Sequence, residues 1–251
     1  MTDERQVVLI TGAAGGIGSG LARGFAGKGD RVVINYRRSE KAALSLGEEL
    51  EARHGSGTAL AFQADVSHRD EVRRMFDAAE KRFGGVDVLI NTAGLNLDRP
   101  FLEMSDEDWG TVVGAILTGT FACSQEFARR YRGGAGNIVN IGAVTAIRGR
   151  KNGANFCSAR AGVLTLTKCM ALELAPKIRV NCVTPGYIDT DEVMARYRLH
   201  EKESLERALS DIPMSRLGTT ADVFQVVDFI VNTAGYVTGQ NYFVDGGSYM
   251  H

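Results

Sequence analysis

Proline is scarce, with 4 in 251 residues, and no apolar run reaches the roughly 18 residues needed to span a bilayer. A membrane helix is therefore not expected, and few breaks are imposed on helices or strands. Charge of one sign is also missing, because 29 Lys+Arg stand against 30 Asp+Glu for a formal net charge of -1. The basic field that nucleic acid or an anionic lipid surface would require does not exist, so neither is expected as a partner. The first residues, up to Gln6, are polar and charged, unlike a secretory leader, which predicts a cytoplasmic protein. The four cysteines, Cys123, Cys157, Cys169 and Cys182, form no CxxC pair and read as buried free thiols. His54, His68, His200 and His251 share no HxxxH or HExxH spacing, and no metal site is expected.

Glycine is plentiful. Its 30 residues are about 12% of the chain against a usual figure of roughly 7%, so many places need tight turns or close backbone approach. Hydrophobic residues at 44% and charged residues at 24% are ordinary for a globular chain, and the length fits one α/β domain over 1–251. Short β-branched runs at 7–10, 31–35, 59–62, 86–90, 137–141, 178–183 and 242–244 alternate with longer segments. Apolar spacing near 3.6 marks the segments 17–27, 41–53, 71–83, 109–130 and 159–175 as helices. Strict alternation of strand and helix predicts a mostly parallel, seven-stranded sheet with helices on both faces. The charge-rich stretch 191–216 lacks a strand and reads as a helical lid.

The first chemical signal is Thr11-Gly12-Ala13-Ala14-Gly15-Gly16-Ile17-Gly18, directly after the first strand and directly before the first helix. Gly12 permits the sharp turn, Gly15 and Gly16 let backbone approach a pyrophosphate, and Gly18 lets the helix pack on the sheet. Ile17 lies in the first helical turn, whose free N–H groups face the anion. A single doubly wound domain of Rossmann type that binds a dinucleotide follows from strand, turn and helix together. The second strand ends at Asn35-Tyr36-Arg37-Arg38, without the acid that would bind the ribose hydroxyls of NAD. Arg37 and Arg38 could instead pair with a 2′-phosphate, so NADP(H) is the expected cofactor.

With these motifs the chain resembles the short-chain dehydrogenase/reductase family, especially its beta-ketoacyl-acyl-carrier-protein reductase branch, over nearly its whole length. Asp65-Val66 resembles the family's adenine-contacting turn, and Asn91-Thr92-Ala93-Gly94 its NNAG block with Thr92 in place of the second Asn. Pro185-Gly186-Tyr187-Ile188-Asp189-Thr190 resembles the block flanking the nicotinamide, and Val244-Asp245-Gly246-Gly247 the C-terminal signature. The resemblance implies that these segments hold the cofactor, with Arg160 contributing. It also implies a homo-oligomer, a tetramer, in which helices 109–130 and 159–175 pair across two-fold axes.

The reacting groups depart from that pattern. Typical members reduce a carbonyl with Asn, Ser, Tyr and Lys, whereas the matching positions here hold Ile116, Ala143, Phe156 and Arg160. Tyr to Phe and Ser to Ala each remove a hydroxyl and keep most of the shape, while Arg160 keeps a charge but cannot relay a proton at neutral pH. Ordinary ketone reduction should lose the roughly 10²–10⁴-fold that a general acid supplies. Weak substitute donors are Tyr187, Cys157 and Ser158, and the loop residues Asn96, Asp98, Thr145 and Arg148 are weaker still.

Three readings compete. One is an NADP(H)-dependent oxidoreductase acting on a small molecule that needs no tyrosine acid, a C=N or conjugated C=C, or drawing its proton from another residue. The second is a catalytically silent scaffold subunit, paired with an active homologue. The third is a non-redox lyase or isomerase. Halohydrin dehalogenases, related in fold, also place Arg at the Lys position, but they keep Ser and Tyr and lose the glycine motif.

Overall fold

The structure, a computed structural model, describes residues 5–250. Seven strands build one sheet: β1 (Val7–Thr11), β2 (Arg31–Tyr36), β3 (Ala59–Gln63), β4 (Val88–Asn91), β5 (Gly136–Ile141), β6 (Ile178–Pro185) and β7 (Asn241–Val244). Their order is β3-β2-β1-β4-β5-β6-β7, and every ladder is parallel rather than mostly so. Each strand is followed by a crossover instead of a hairpin, which leaves no antiparallel pair. The chain reverses direction of travel between β1 and β4, and this switch point opens a crevice at the strands' carboxyl ends.

Alternate strand residues feed two cores. Val8 and Ile10 of β1 face Leu21 and Phe25 of α1 (Gly16–Gly27), Leu46 of α2 (Glu40–His54) and Val223 of α10 (Thr220–Asn232). Val7 and Leu9 face Met75 and Phe76 of α3 (Arg69–Phe83) and Phe127 of α5 (Gly119–Arg130). Each such fully buried side chain contributes about 1.5–3 kcal/mol of transfer free energy, which fixes the register of the strands.

Two elements differ from the sequence expectation. The segment 109–130 is not one helix: α4 (Asp106–Val113) passes through a π-turn (Gly114–Thr118) before α5 continues. Directly after the π-turn, Gly119 lies so close to the Val66 side chain that a Cβ there would stand 2.5 Å from it. The second is α10, a helix absent from the periodic segments above. Its start is a capping box, in which the Thr219 hydroxyl accepts from the Asp222 amide and the Asp222 carboxylate accepts from the Thr219 amide at 2.7 Å. Gly20 and Gly24 of α1 let it pack closely, since a Cβ at either would fall 2.3 Å from Thr220 or Phe224.

The remaining helices are α6 (Thr145–Arg148), α7 (Ala154–Leu174), α8 (Asp191–Arg196) and α9 (Lys202–Ser210), with the last two filling the stretch read as a lid. Among the described residues no helix is long and apolar enough to cross a membrane.

Candidate active site

The crevice is a cleft of ≈ 680 Å³ that runs from the β2 end of the sheet to α8. Its floor at one end is the β1–α1 turn. Gly12 (φ +65°) and Gly16 (φ +54°) occupy backbone conformations that side chains rarely adopt, and a Cβ on Gly12 would stand 2.9 Å from Ala93 Cα. No side chain caps α1, and nothing lies within 4 Å of the Cβ directions at Gly15 and Gly16, so the first helical amides are left for an anion. Asn35 pins the turn: its Oδ1 accepts from the Gly12 amide at 3.1 Å and its Nδ2 donates to Ala64 O at 3.0 Å. Thr92, the departure in the NNAG-like block, donates its hydroxyl to the Thr11 carbonyl, while Thr11 Oγ1 accepts from the amides of Thr92 and Ala93.

Arg37 leans 3.4 Å from Asp65, whereas Arg38 is exposed and has no partner among the described residues. Burial raises the Asp65 carboxyl, but hydrogen bonds from the Ser67 hydroxyl and amide, with the Arg37 charge, outweigh it and hold it below the usual carboxylate range. These residues fit a dinucleotide with a further phosphate, since the groove supplies free amides, no obstructing side chain and a free guanidinium beside β2.

At the far end β5 leads into Gly142 and Ala143, and α7 brings Phe156 and Arg160 alongside. Arg160 is only 6% exposed. Its Nη1 donates to the Ile141 carbonyl, its Nε has no partner, and no carboxylate pairs with it among the described residues. Burial pushes this guanidinium down to about 10, so it stays cationic at neutral pH. Gly94 makes room for it, because a Cβ there would lie 2.6 Å from Nη2. The Phe156 ring meets two guanidiniums, with Arg160 at 5.5 Å and Arg150 at 5.2 Å from its centroid.

Arg150 continues the ring of donors. Its Nη2 gives to Asp98 at 2.6 Å and to Asn96 at 3.0 Å, and its Nη1 reaches the Tyr197 hydroxyl only at 3.5 Å. Asp98 also accepts from Arg196 of α8, so one carboxylate ties the loop after β4, the loop after β5 and the lid. Glu192 accepts from Arg196 and, at 3.1 Å, from Asn96. Tyr187 lies edge-on to Tyr197 at 4.9 Å, and its phenol is raised by burial, with Tyr197 adding and the Arg148 and Arg150 charges opposing.

Most residues singled out in the sequence line this cleft: Gly12, Gly15, Gly16, Ile17, Gly18, Arg37, Arg38, Asp65, Val66, Ala93, Gly94, Ala143, Phe156, Arg160, Pro185, Gly186, Tyr187, Ile188 and Thr190. Four do not. Asn91 turns inward, donating to Asn140 at 2.9 Å and Ser124 at 3.1 Å beneath the strands. Ile116 is buried in the π-turn with Val112, Ala159 and Val163, where its apolar side chain packs instead of facing the crevice. Cys157 is buried and Ser158 exposed away from the cleft, because successive helical residues point about 100° apart. Arg150, Arg196 and Tyr197 line the cleft and were not anticipated. Their role comes from loops meeting in space, and the sequence offers only a basic run at 148–151 as a hint.

A parallel sheet with a glycine-lined phosphate cradle at its switch point defines a dinucleotide-dependent protein of the doubly wound class. A family model described as Enoyl-(Acyl carrier protein) reductase matches residues 12–249. The chain is 38% identical over 249 residues to a 3-oxoacyl-acyl-carrier-protein reductase of Synechocystis sp., covering 98% of this chain and 97% of that one. It is 37% identical over 245 residues to the corresponding reductase of Staphylococcus aureus, covering 96% of this chain and 97% of the relative. A crystal structure of a short-chain dehydrogenase/reductase from Brucella melitensis, titled glucose/ribitol dehydrogenase, superposes with a TM-score of 0.90 at 30% identity over 98% of this chain and 97% of that one. The chain belongs to the short-chain dehydrogenase/reductase family of oxidoreductases.

Proposed function

We propose that the protein is an NADPH-dependent reductase of conjugated C=C bonds whose site works without a tyrosine acid. One observation carries this reading: the phosphate cradle is complete, while the reacting end presents Ala143 and Phe156 without hydroxyls and is ringed by arginines. Arg38, with Arg37 beside it, would hold the 2′-phosphate, and the amides at the start of α1 the pyrophosphate. When bound, the reduced dinucleotide supplies a hydride.

The protein's own groups select what accepts it. A ketone oxygen needs a proton as it takes up charge, and neither Ala143 nor Phe156 can give one. A conjugated acceptor spreads its charge onto a distant oxygen, which Arg150 or the protonated Tyr187 phenol can stabilise by hydrogen bonding while water delivers the proton to carbon. An iminium is disfavoured. Arg148, Arg150, Arg160 and Arg196 outnumber Glu192 and Asp98 at this end, and one uncompensated like charge at about 6 Å in a medium of ε ~20 costs about 3 kcal/mol, roughly a hundredfold.

The test is NADPH oxidation with trans-2-hexenal and cyclohexenone against cyclohexanone, together with titration of NADPH and NADH. Oxidation with the conjugated pair, slight turnover of the saturated ketone and tighter binding of NADPH are expected. The double variant Arg37→Ala/Arg38→Ala should erase the cofactor preference. NADPH binding without turnover of any acceptor would instead favour the scaffold reading, and turnover without net redox the lyase or isomerase reading.

A further inference from the structure

We infer that the reacting end of the cleft contains a carboxylate subsite built from Arg148, Arg150 and the Tyr187 hydroxyl, so that the substrate is an acid. The inference rests on the cleft being the site of hydride transfer, as proposed above. It goes further by naming the group that anchors the acceptor.

Position separates this subsite from the cofactor's own anions. The phosphate cradle and Arg38 follow β1 and β2, whereas Arg148 and Arg150 follow β5 and Tyr187 follows β6, two and three strands from β1. Donor capacity is left over at all three groups. The Arg148 guanidinium has no hydrogen-bond or ion-pair partner among the described residues, and neither does the Tyr187 hydroxyl. Arg150 spends Nη2 on Asp98 and Asn96, holds Tyr197 at only 3.5 Å through Nη1, and buries Nε without a partner. The three belong together: Tyr187 lies edge-on to Tyr197 at 4.9 Å, Arg150 approaches the Tyr197 hydroxyl at 3.5 Å, and Arg148, two positions before Arg150, lines the same cleft.

Among the described residues the carboxylates near them do not cancel their charge: Asp211 acts on the Tyr187 phenol without an ion pair to either arginine. Asp98 is divided between Arg150 and Arg196, and Glu192 is taken by Arg196 and Asn96. Behind the Phe156 ring, Arg160 adds a further guanidinium without a carboxylate, more than nine-tenths buried and lining the same cleft. A surplus of planar, forked donors beside one phenol matches a carboxylate, which accepts from two N–H groups and one O–H at once. A neutral amide of the same shape offers one acceptor oxygen and brings two N–H donors toward cations, so it should be rejected.

The experiment uses the full chain saturated with NADPH and measures binding by calorimetry. The probes are crotonate, trans-2-hexenoate and trans-cinnamate, each against its primary amide. The best-bound acid should bind at least about tenfold more tightly than its amide. The double variant Arg148→Gln/Tyr187→Phe, which touches no ion pair described here, should lower that acid's affinity at least about fivefold and leave the amide within about twofold, while Arg148→Lys restores part of the loss. Equal affinities within every pair, binding of no acid, or a preference that survives in the double variant would overturn the subsite. Following NADPH oxidation in the same samples keeps the two readings apart. An acid preference without oxidation sustains the subsite and defeats the reductase, while oxidation by amides with no acid preference does the reverse.

Discussion

On the proposed reading, Arg160 keeps the charge that the resemblance implies at its position without the chemistry of a lysine. A lysine there would be a compact charge able to depress a neighbouring phenol, whereas the guanidinium is fixed to the Ile141 carbonyl and lies against a phenyl ring that has no proton to yield. Because Ala143 and Phe156 still line the cleft, the missing groups can be put back. The triple variant Ala143→Ser/Phe156→Tyr/Arg160→Lys should raise turnover of cyclohexanone by a good part of the 10²–10⁴-fold typical of general acid catalysis. Phe156→Tyr alone should change little, since the serine and lysine that would act with the phenol as a unit are still missing. Adding Ile116→Asn is a different matter: that side chain is fully buried among Val112, Ala159 and Val163, and an unpaired amide there costs about 1–3 kcal/mol, visible as a lower Tm. A triple variant that folds, binds NADPH and gains nothing on ketones would mean the pocket has been reshaped beyond these positions. At this scale the glycine turn was legible, and so was the place of Ala143, Phe156 and Arg160 in the cleft, because each depends on spacing within one segment; Ile116 was not, since its side chain packs with Val112, Ala159 and Val163. Arg150 was not, since it acquires its role by meeting Asp98 and Tyr197 from 52 and 47 positions away.

Helix α10 was legible and yet passed over. Its Thr219 to Asp222 spacing is a capping box, and Val223, Val227, Ile230 and Val231 follow a helical period, yet the segment lies outside the helices read from the sequence. The strands fared better because β-branched runs buried on both faces leave little alternative. The π-turn in 114–118 was beyond reach, since the apolar spacing over 109–130 does not distinguish it from a continuous helix. The cap of α10 gives a measurable consequence. Arg216 and the Thr219 amide hold the Asp222 carboxyl well below the usual carboxylate range, so the charged form is favoured by folding. The stabilisation is therefore complete above the unfolded value near 4 and fades as pH falls toward the lower folded one. Asp222→Ala should cost roughly 1 kcal/mol at pH 7, read as a lower urea midpoint, and the gap from the unmodified protein should narrow below about pH 3.

For the whole molecule, Trp109, Phe121 and Leu172 remain on the surface of α4, α5 and α7, the last of them 85% exposed. Apolar side chains of that size on neighbouring helices suit burial against a second copy. Light scattering at micromolar concentration should give four times the 27.1 kDa chain mass, and Leu172→Glu should shift the distribution to smaller species. A monomer in the unmodified protein would count against this assembly. The packing of α10 on the glycine face of α1 also bears on how the chain comes into being. Lys28 at the end of α1 pairs with Asp228, 200 positions later, and Gln6 with Asn232, 226 positions later. During synthesis the Gly20 and Gly24 face of α1 thus waits for some 200 further residues, and at about 5–20 residues per second that delay is on the order of 10–40 s. Through that interval the face of α1 that carries Gly20 and Gly24 lies uncovered beside the nucleotide turn, so the order of synthesis sets the last packing step of the helix that opens the cradle.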